Sequence, residues 1–341
     1  MDKKIFNLLI TVVLSVGLFA GCTPSQANGV TESDSTSTAD SDKISVVCTI
    51  FPQYDWVKQI VKDNENIEVS LLLKNGTDLH NYQASADDIV KINDSNLLIY
   101  TGGESDAWIE DTIKNAKNKN INFINMMDVL GDEIKEEEVV EGMEEHDDHD
   151  DDHEEEKHHH EEVEYDEHVW LSLDNAEITC KAIAEKLGTL DTANADEYRQ
   201  NAENYIKQLE ALDDKYEDMV ENSARKTILV GDRFPFRYLV DEYDVDYYAA
   251  FAGCSAESEA SFETVIFLAE KTDELGLPAV LAIDGSDQQI AKTIISNTKN
   301  KDQKILVLNS MQSVNSDDIS NGETYIQIME ENYKILKEAL N

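Results

Sequence analysis

The sequence predicts an α/β protein of two lobes joined by one long rigid helix, with a cleft between the lobes. Three observations carry this. Short apolar runs alternate with helical periodicity in two separate stretches, 43–190 and 225–341. Between them, the span Ala195 to Asn222 lacks Gly and Pro, and Tyr198, Ala202, Tyr205, Leu209, Leu212, Tyr216 and Met219 recur at helical spacing, a helix about 40 Å long at the standard rise. The length of 341 residues and the 41% hydrophobic content suffice for two domains of ordinary size, each with its own core. The linking segment is placed at 191–224.

In the first lobe, Lys43 to Ile50 runs apolar and fits a buried strand, and Tyr54, Val57, Ile60 and Val61 follow at helical spacing. Ile67 to Leu73 returns to strand character, and the loop Lys74 to Tyr82 contains Gly76 and presents His80. Ser85 followed by Asp88 marks a helix start with Ile89, Val90 and Ile92 behind it. Leu97 to Tyr100 is a strand, Trp108 to Ala116 a helix and Ile121 to Ile124 the last strand. An acidic tract follows, then Asp174 with Glu177 marks a capped helix carrying Ile178, Ile183 and Leu187.

The second lobe begins with Thr227 to Val230 as a strand, Gly231 to Pro235 as a turn and Phe236 to Tyr243 as a helix. Val245 to Phe251 is a strand, Ser261 to Leu275 a capped helix and Pro278 to Ile283 a buried strand. Ser286 with Gln289 opens another helix, Ile305 to Leu308 is the last strong strand, and Thr324 to Leu340 is a closing helix.

Met1 to Lys4 is a basic start, Ile5 to Phe19 an apolar core, and Ala20-Gly21-Cys22 a run of small residues ending in cysteine. This reads as a secretory signal, since the apolar stretch is short for a permanent span. Leu18-Phe19-Ala20-Gly21-Cys22 resembles a lipoprotein lipobox, which makes Cys22 the lipidated first residue of the mature chain and 23–42, rich in Ser, Thr, Asp and Asn, a flexible tether. Cys48, Cys180 and Cys254 form no CxxC pair, an odd number leaves one unpaired, and buried small hydrophobes are the expected role of all three. The formal charge of -44 excludes nucleic acid and anionic membrane surfaces as partners and favours cations.

Histidine is localised. Six of the eight, His146, His149, His153, His158, His159 and His160, lie in the acidic tract 136–164, and His168 closes it. With carboxylates between the imidazoles and little to bury, the tract is expected to be disordered and to collect metal weakly. His80 and His168 share an Asp-x-His context, Asp78-Leu79-His80 and Asp166-Glu167-His168, at loop ends where side chains reach a cleft. Neutral imidazole suits zinc, copper, iron or nickel, and the neighbouring carboxylates can orient its second nitrogen.

Gly76-Thr77-Asp78-Leu79-His80-Asn81-Tyr82 and Asp166-Glu167-His168-Val169-Trp170-Leu171-Ser172 resemble the two histidine loops of the zinc and manganese class of metal-binding lipoproteins, the extracytoplasmic solute-binding components of ABC importers. The resemblance covers Lys43 to the C-terminus, and an acidic His-rich insertion before the second motif is typical of the zinc-specific members. It implies two α/β lobes on a rigid helix with the metal between them, a membrane permease as partner, a monomer, and a location on the extracytoplasmic face, lipid-anchored. It further implies a third ligand near the first strand of the second lobe, for which Asp232 is the candidate. Counting back from Tyr238 puts Arg233 at that position, and a guanidinium cannot coordinate a cation, so Asp232 takes the role only if the turn carries one residue more. Glu323, two residues before Tyr325, matches the fourth ligand, with Asp284 in reserve. Zn2+ is favoured by the clustered imidazoles and Mn2+ is second, because two histidines with two carboxylates form a harder site. Capture and delivery of Zn2+ without covalent chemistry is the leading reading; a zinc metallohydrolase and a surface metal buffer or adhesin are the alternatives, the hydrolase weakened by the lack of an HExxH helix.

Overall fold

The computed structural model describes residues 43–143, 164–255 and 259–341. In the first lobe, β1 (Ile44–Cys48), α1 (Phe51–Val61), β2 (Ile67–Leu71), α2 (Ala86–Asp94), β3 (Leu97–Tyr100), α3 (Ala107–Asn115), β4 (Asn122–Asn125) and α4 (Met126–Leu130) alternate, and α5 (Leu173–Leu190) follows the acidic tract. The strands form a parallel sheet in the order β2-β1-β3-β4, so chain order reverses between β1 and β3. In a parallel sheet covered by helices on both faces, central strands are apolar throughout, and all four residues of β3 are buried.

After α6 (Ala195–Glu221), the second lobe runs β5 (Thr227–Phe234), α7 (Arg237–Glu242), β6 (Asp246–Ala252), α8 (Phe262–Leu275), β7 (Ala279–Ile283), α9 (Gln289–Asn297), β8 (Lys304–Leu308), α10 (Ser316–Ser320) and α11 (Tyr325–Ala339). Its parallel sheet repeats the pattern in the order β6-β5-β7-β8. Both sheets direct strand C-termini, where loops carry functional groups, toward the region between the lobes.

Helix α6 is long enough to reach helices of both lobes. Near its start Asn201 donates from Nδ2 to the Ile60 carbonyl of α1 at 2.9 Å, and near its end the Tyr216 hydroxyl donates to the Met329 carbonyl of α11 at 2.7 Å. The expectation of one core per lobe does not hold. A single cluster of buried residues runs from Val46 and Leu98 through Leu209 and Tyr216 to Leu308 and Leu336, and a smaller second cluster around Leu229, Phe251 and Val280 lies within the second lobe. Asp42–Asn341 is accordingly one compact unit.

The lobes are also tied by hydrogen bonds. Trp170 donates from its indole nitrogen to the Ser310 carbonyl at 2.9 Å, Tyr325 donates its hydroxyl to the Trp170 carbonyl at 2.7 Å, and the Tyr325 amide donates to Asp55 Oδ2 at 3.1 Å. Asn75 and Asn315 form an antiparallel bridge across the same seam.

Three local expectations are corrected. The helix after His168 begins two residues earlier, because Ser172 rather than Asp174 caps it, accepting from the Asn175 amide at 3.0 Å. The stretch expected as a turn after Val230 continues as strand to Phe234, with a register shift in which Val230 and Arg233 pair Ala249 and Phe251, one extra residue on β5. And the acidic tract begins as an ordered segment, though an exposed one: Glu136 bridges to Tyr165, Glu138 pairs with Arg237 at 2.9 Å and accepts from the Tyr247 hydroxyl at 3.1 Å, and Met143 is buried. The carboxylates find donors in the second lobe, which composition alone does not reveal. The tract's six histidines, Cys22, the signal segment and the tether lie outside the described residues. Among the described residues, no helix is long and apolar enough to cross a membrane.

Asp106, at the start of α3, is buried, and its Oδ2 accepts from the amides of Thr101 and Gly102 at 2.8 and 3.2 Å. Burial outweighs those bonds and pushes its carboxyl up to about 7. As pH rises from about 4 to about 7, the unfolded chain gives up this proton while the folded chain holds it, so stability falls by about 1.4 kcal/mol per unit across that window and levels off above it. Thermal unfolding at pH 5 and pH 8 should show the decline in the parent and a flatter one in Asp106→Asn; parallel curves would remove Asp106 as its source.

Candidate metal centre

Two imidazoles meet between the lobes. His80 sits on the 3-10 turn Leu79–Asn81 after β2, a turn started by Asp78, whose Oδ1 accepts from the His80 amide at 3.0 Å. His168 lies at the exit of the acidic tract, ahead of the 3-10 turn Val169–Leu171, and is fully buried. Asp166 Oδ1 accepts from both the His168 amide at 2.8 Å and its Nδ1 at 2.9 Å, so one carboxylate oxygen sets backbone and ring together. That contact fixes the proton on Nδ1 and leaves Nε2 free to coordinate. Trp170 packs against the ring edge-on at 5.3 Å.

The Nε2 atoms of His80 and His168 stand 3.1 Å apart. Two ligands of a tetrahedral zinc are separated by about 3.3 Å at the usual Zn–N distance, so the pair already has the required bite. His80 Nδ1 is 2.8 Å from Ser105 Oγ and 3.7 Å from Glu167 Oε2, while Glu167 Oε1 accepts from the Ser105 amide at 2.9 Å. Glu167 Oε2 is buried without a hydrogen-bond partner.

The electrostatics split the pair. Burial, followed by the charge of His168, pulls the His80 imidazolium down to about 4. Burial also pulls on His168, but the Asp166 carboxylate outweighs it through charge and hydrogen bond, and the net shift is upward. Burial thus disfavours the charged form at His80, whereas the Asp166 carboxylate favours it at His168, and at either nitrogen a cation would compete with a proton.

The other expected ligands are placed elsewhere. Asp232 accepts from the Arg233 amide at 3.0 Å, and burial pushes its carboxyl up despite a hydrogen bond with Ser286. It lines a neighbouring cavity of about 400 Å³ with Asp78, Arg233, Asp284 and Ser286. The bulge on β5 does not bring Asp232 to the imidazoles, and Asp232 is not among the residues whose ligand atoms converge on them. Asp284 is consumed in holding the loop after β8: Oδ1 accepts from the Ser310 hydroxyl at 2.8 Å and Oδ2 from the Ser313 amide and hydroxyl. Glu323 sits in the turn before the Thr324 cap of α11, its amide donating to the Asp318 carbonyl at 3.1 Å.

Among the described residues, the group whose ligand atoms converge within 4.8 Å is His80, His168 and Cys254. The expectation of a buried small hydrophobe holds for Cys48 and Cys180, which are buried, whereas Cys254 is half-buried, in the turn after β6. Sequence motifs do not point to it, but its position just past a strand C-terminus, after Gly253, was an available signal. Arg233 does not reach for the metal. It pairs with Asp78 at 2.5 Å and reaches the Ser255 carbonyl at 3.4 Å, clamping the His80 turn to the second lobe.

The role of Asp166 gives a direct prediction. Asp166→Asn keeps the size but removes the charge that orients His168, and zinc affinity measured by competition with a chelating dye should fall about 10–100-fold. Unchanged affinity would show that His168 is positioned without it.

Comparison with known proteins adds the family. Residues 46–339 match the family described as zinc-uptake complex component A, periplasmic. The chain is 31% identical over 340 residues to the zinc-binding lipoprotein AdcA of Streptococcus pneumoniae serotype 4, covering 99% of this chain and 61% of that protein. It therefore spans less than two thirds of that relative's length. It is 29% identical over 340 residues to the high-affinity zinc uptake system protein ZnuA of Bacillus subtilis, covering 100% and 99% of the two chains. In structure it is similar to the Zn(II)-bound ZnuA-like domain of Streptococcus pneumoniae AdcA, with a TM-score of 0.67, 25% identity, and coverage of 87% and 99%.

Proposed function

This chain belongs to the family of the periplasmic component A of zinc-uptake complexes, and from that premise we propose that it captures Zn2+ outside the cytoplasm and delivers it to the permease of an ABC importer. The observation that carries the proposal is the His80–His168 pair, with Nε2 atoms 3.1 Å apart and the buried ring held by Asp166. In this reading His80 and His168 are ligands, and the protein carries its metal without covalent chemistry. The metal is cargo.

The acidic tract supports a collecting role. Its ordered ends, Glu137 and Glu164, line a cavity of about 540 Å³ together with His80, Glu104, Glu167 and Cys254. Zinc held loosely by the tract's histidines is released next to the cleft. The function also fits a monomer tethered through lipidated Cys22 to the outer face of the membrane.

Uptake of radioactive zinc at limiting concentration tests the proposal. Cells lacking this chain should take up little, the intact chain should restore uptake, and a chain lacking residues 144–163 should restore it less well at the lowest concentrations. Uptake that is indifferent to the presence of the chain would overturn the assignment, and equal restoration by the shortened chain would remove the collecting role.

A further inference from the structure

We propose that Cys254 is the third metal ligand, binding as a thiolate and supplying from the second lobe the donor that Arg233 cannot. This rests on the zinc-capture reading above and makes the site a mixed imidazole–thiolate centre.

The geometry points to it from both sides of the sulfur. Strand β6 delivers the chain to Gly253, which lies so close to Phe234 and His168 that a side chain has no room: a Cβ there would come within 2.8 Å of the Phe234 carbonyl oxygen and 3.2 Å of Asp166 Oδ2 and His168 Cε1. Only glycine lets the backbone pass at that distance, and the next residue is Cys254. Its amide is pinned by Glu137 Oε1 at 2.9 Å, so the residue is held by the ordered start of the acidic tract. The Cys254 sulfur and one ring nitrogen from each of His80 and His168 then all lie within 4.8 Å of one another.

The partners of Arg233 explain why the second lobe needs another donor. Its guanidinium is engaged by Asp78, beside His80, and by the carbonyl of Ser255, beside Cys254. It draws together the segments that carry His80 and Cys254. In the metal-free protein the sulfur carries its proton; on binding, the metal–sulfur bond forms, the S–H bond breaks heterolytically and the proton leaves to solvent.

The donor set decides the cargo. Two imidazoles and a thiolate suit Zn2+ and other soft or borderline cations, and they disfavour Mn2+, which prefers oxygen. The harder site of two histidines and two carboxylates is thereby replaced.

Cobalt substitution of the full chain is the test. Bound Co2+ reports a thiolate ligand through an intense sulfur-to-metal charge-transfer band in the near ultraviolet. The tract has no cysteine, so cobalt there cannot produce that band, and Cys48 and Cys180 are buried in the core and remain in the variant as internal controls. The band should appear in the parent, saturate with one equivalent at the tight site and vanish in Cys254→Ser, whose zinc affinity should fall at least about tenfold. The parent spectrum needs no variant and so stands even if Cys254→Ser folds poorly. A parent with a tight, His80-dependent cobalt site but no charge-transfer band, or a band that persists in Cys254→Ser, overturns the cysteine assignment and leaves the histidine pair intact. A parent with no tight site, or one insensitive to His80→Ala, overturns the zinc-capture reading itself.

Discussion

Alanine at His168 abolishes tight zinc binding: titration calorimetry should show the single strong site of the parent replaced by the weak, multiple binding of the acidic tract, with affinity down by at least about a hundredfold. The same result is expected for His80→Ala. The two losses differ in kind. His80 is at the mouth of the cleft, next to Ser105 and Glu167, and its removal deletes one ligand. His168 is fully buried and bound to Asp166, so its removal deletes a ligand and leaves a buried carboxylate without its ring partner. His168→Ala should therefore lower the thermal stability of the metal-free protein as well, whereas His80→Ala should leave it nearly unchanged. A chain lacking residues 144–163 should keep the tight site. Retention of tight binding in both alanine variants would place the site elsewhere.

Trp170→Ala carries the largest expected loss of stability. The indole is buried, packs on His168, donates to the Ser310 carbonyl of the second lobe, and its own carbonyl accepts from Tyr325. Truncating a buried tryptophan costs about 3–5 kcal/mol through lost burial and the cavity left behind. Here the cavity opens at the seam between the lobes, and one core runs through both, so unfolding should stay a single transition at lower denaturant concentration. Tyr325→Phe tests the same seam more gently: it removes one hydroxyl and strands the Trp170 carbonyl, for about 1–3 kcal/mol. Two separate transitions in Trp170→Ala would show that the lobes fold independently and that the shared core is not the basis of their rigidity.

Much of the architecture was legible in the sequence because parallel α/β lobes write it twice. Buried strands appear as unbroken apolar runs such as Leu97 to Tyr100, and α6 appears as a long stretch free of Gly and Pro. The two histidines were legible from their shared Asp-x-His context, and the structure explains that context: Asp78 starts the His80 turn, and Asp166 orients the His168 ring. What the sequence hid depends on contacts between distant segments. The extra residue in β5 is visible only against its partner strand β6. The order of Glu136–Met143 depends on Arg237, Tyr247 and the Cys254 amide, about a hundred residues away. Asp232, Asp284 and Glu323 were attractive as carboxylates in the right loops, but loop position does not reveal that Asp284 spends both oxygens on Ser310 and Ser313. Cys254 carries no motif around it, so sequence alone assigns it only the role of a buried small hydrophobe.

Bound zinc is expected between His80 and His168. An anomalous difference map collected across the zinc edge, from crystals of the zinc-loaded protein, measures this directly. A dominant peak about 2.0–2.1 Å from Nε2 of both histidines is the predicted result. Zinc bound at full occupancy elsewhere, with no peak between those two nitrogens, would contradict it.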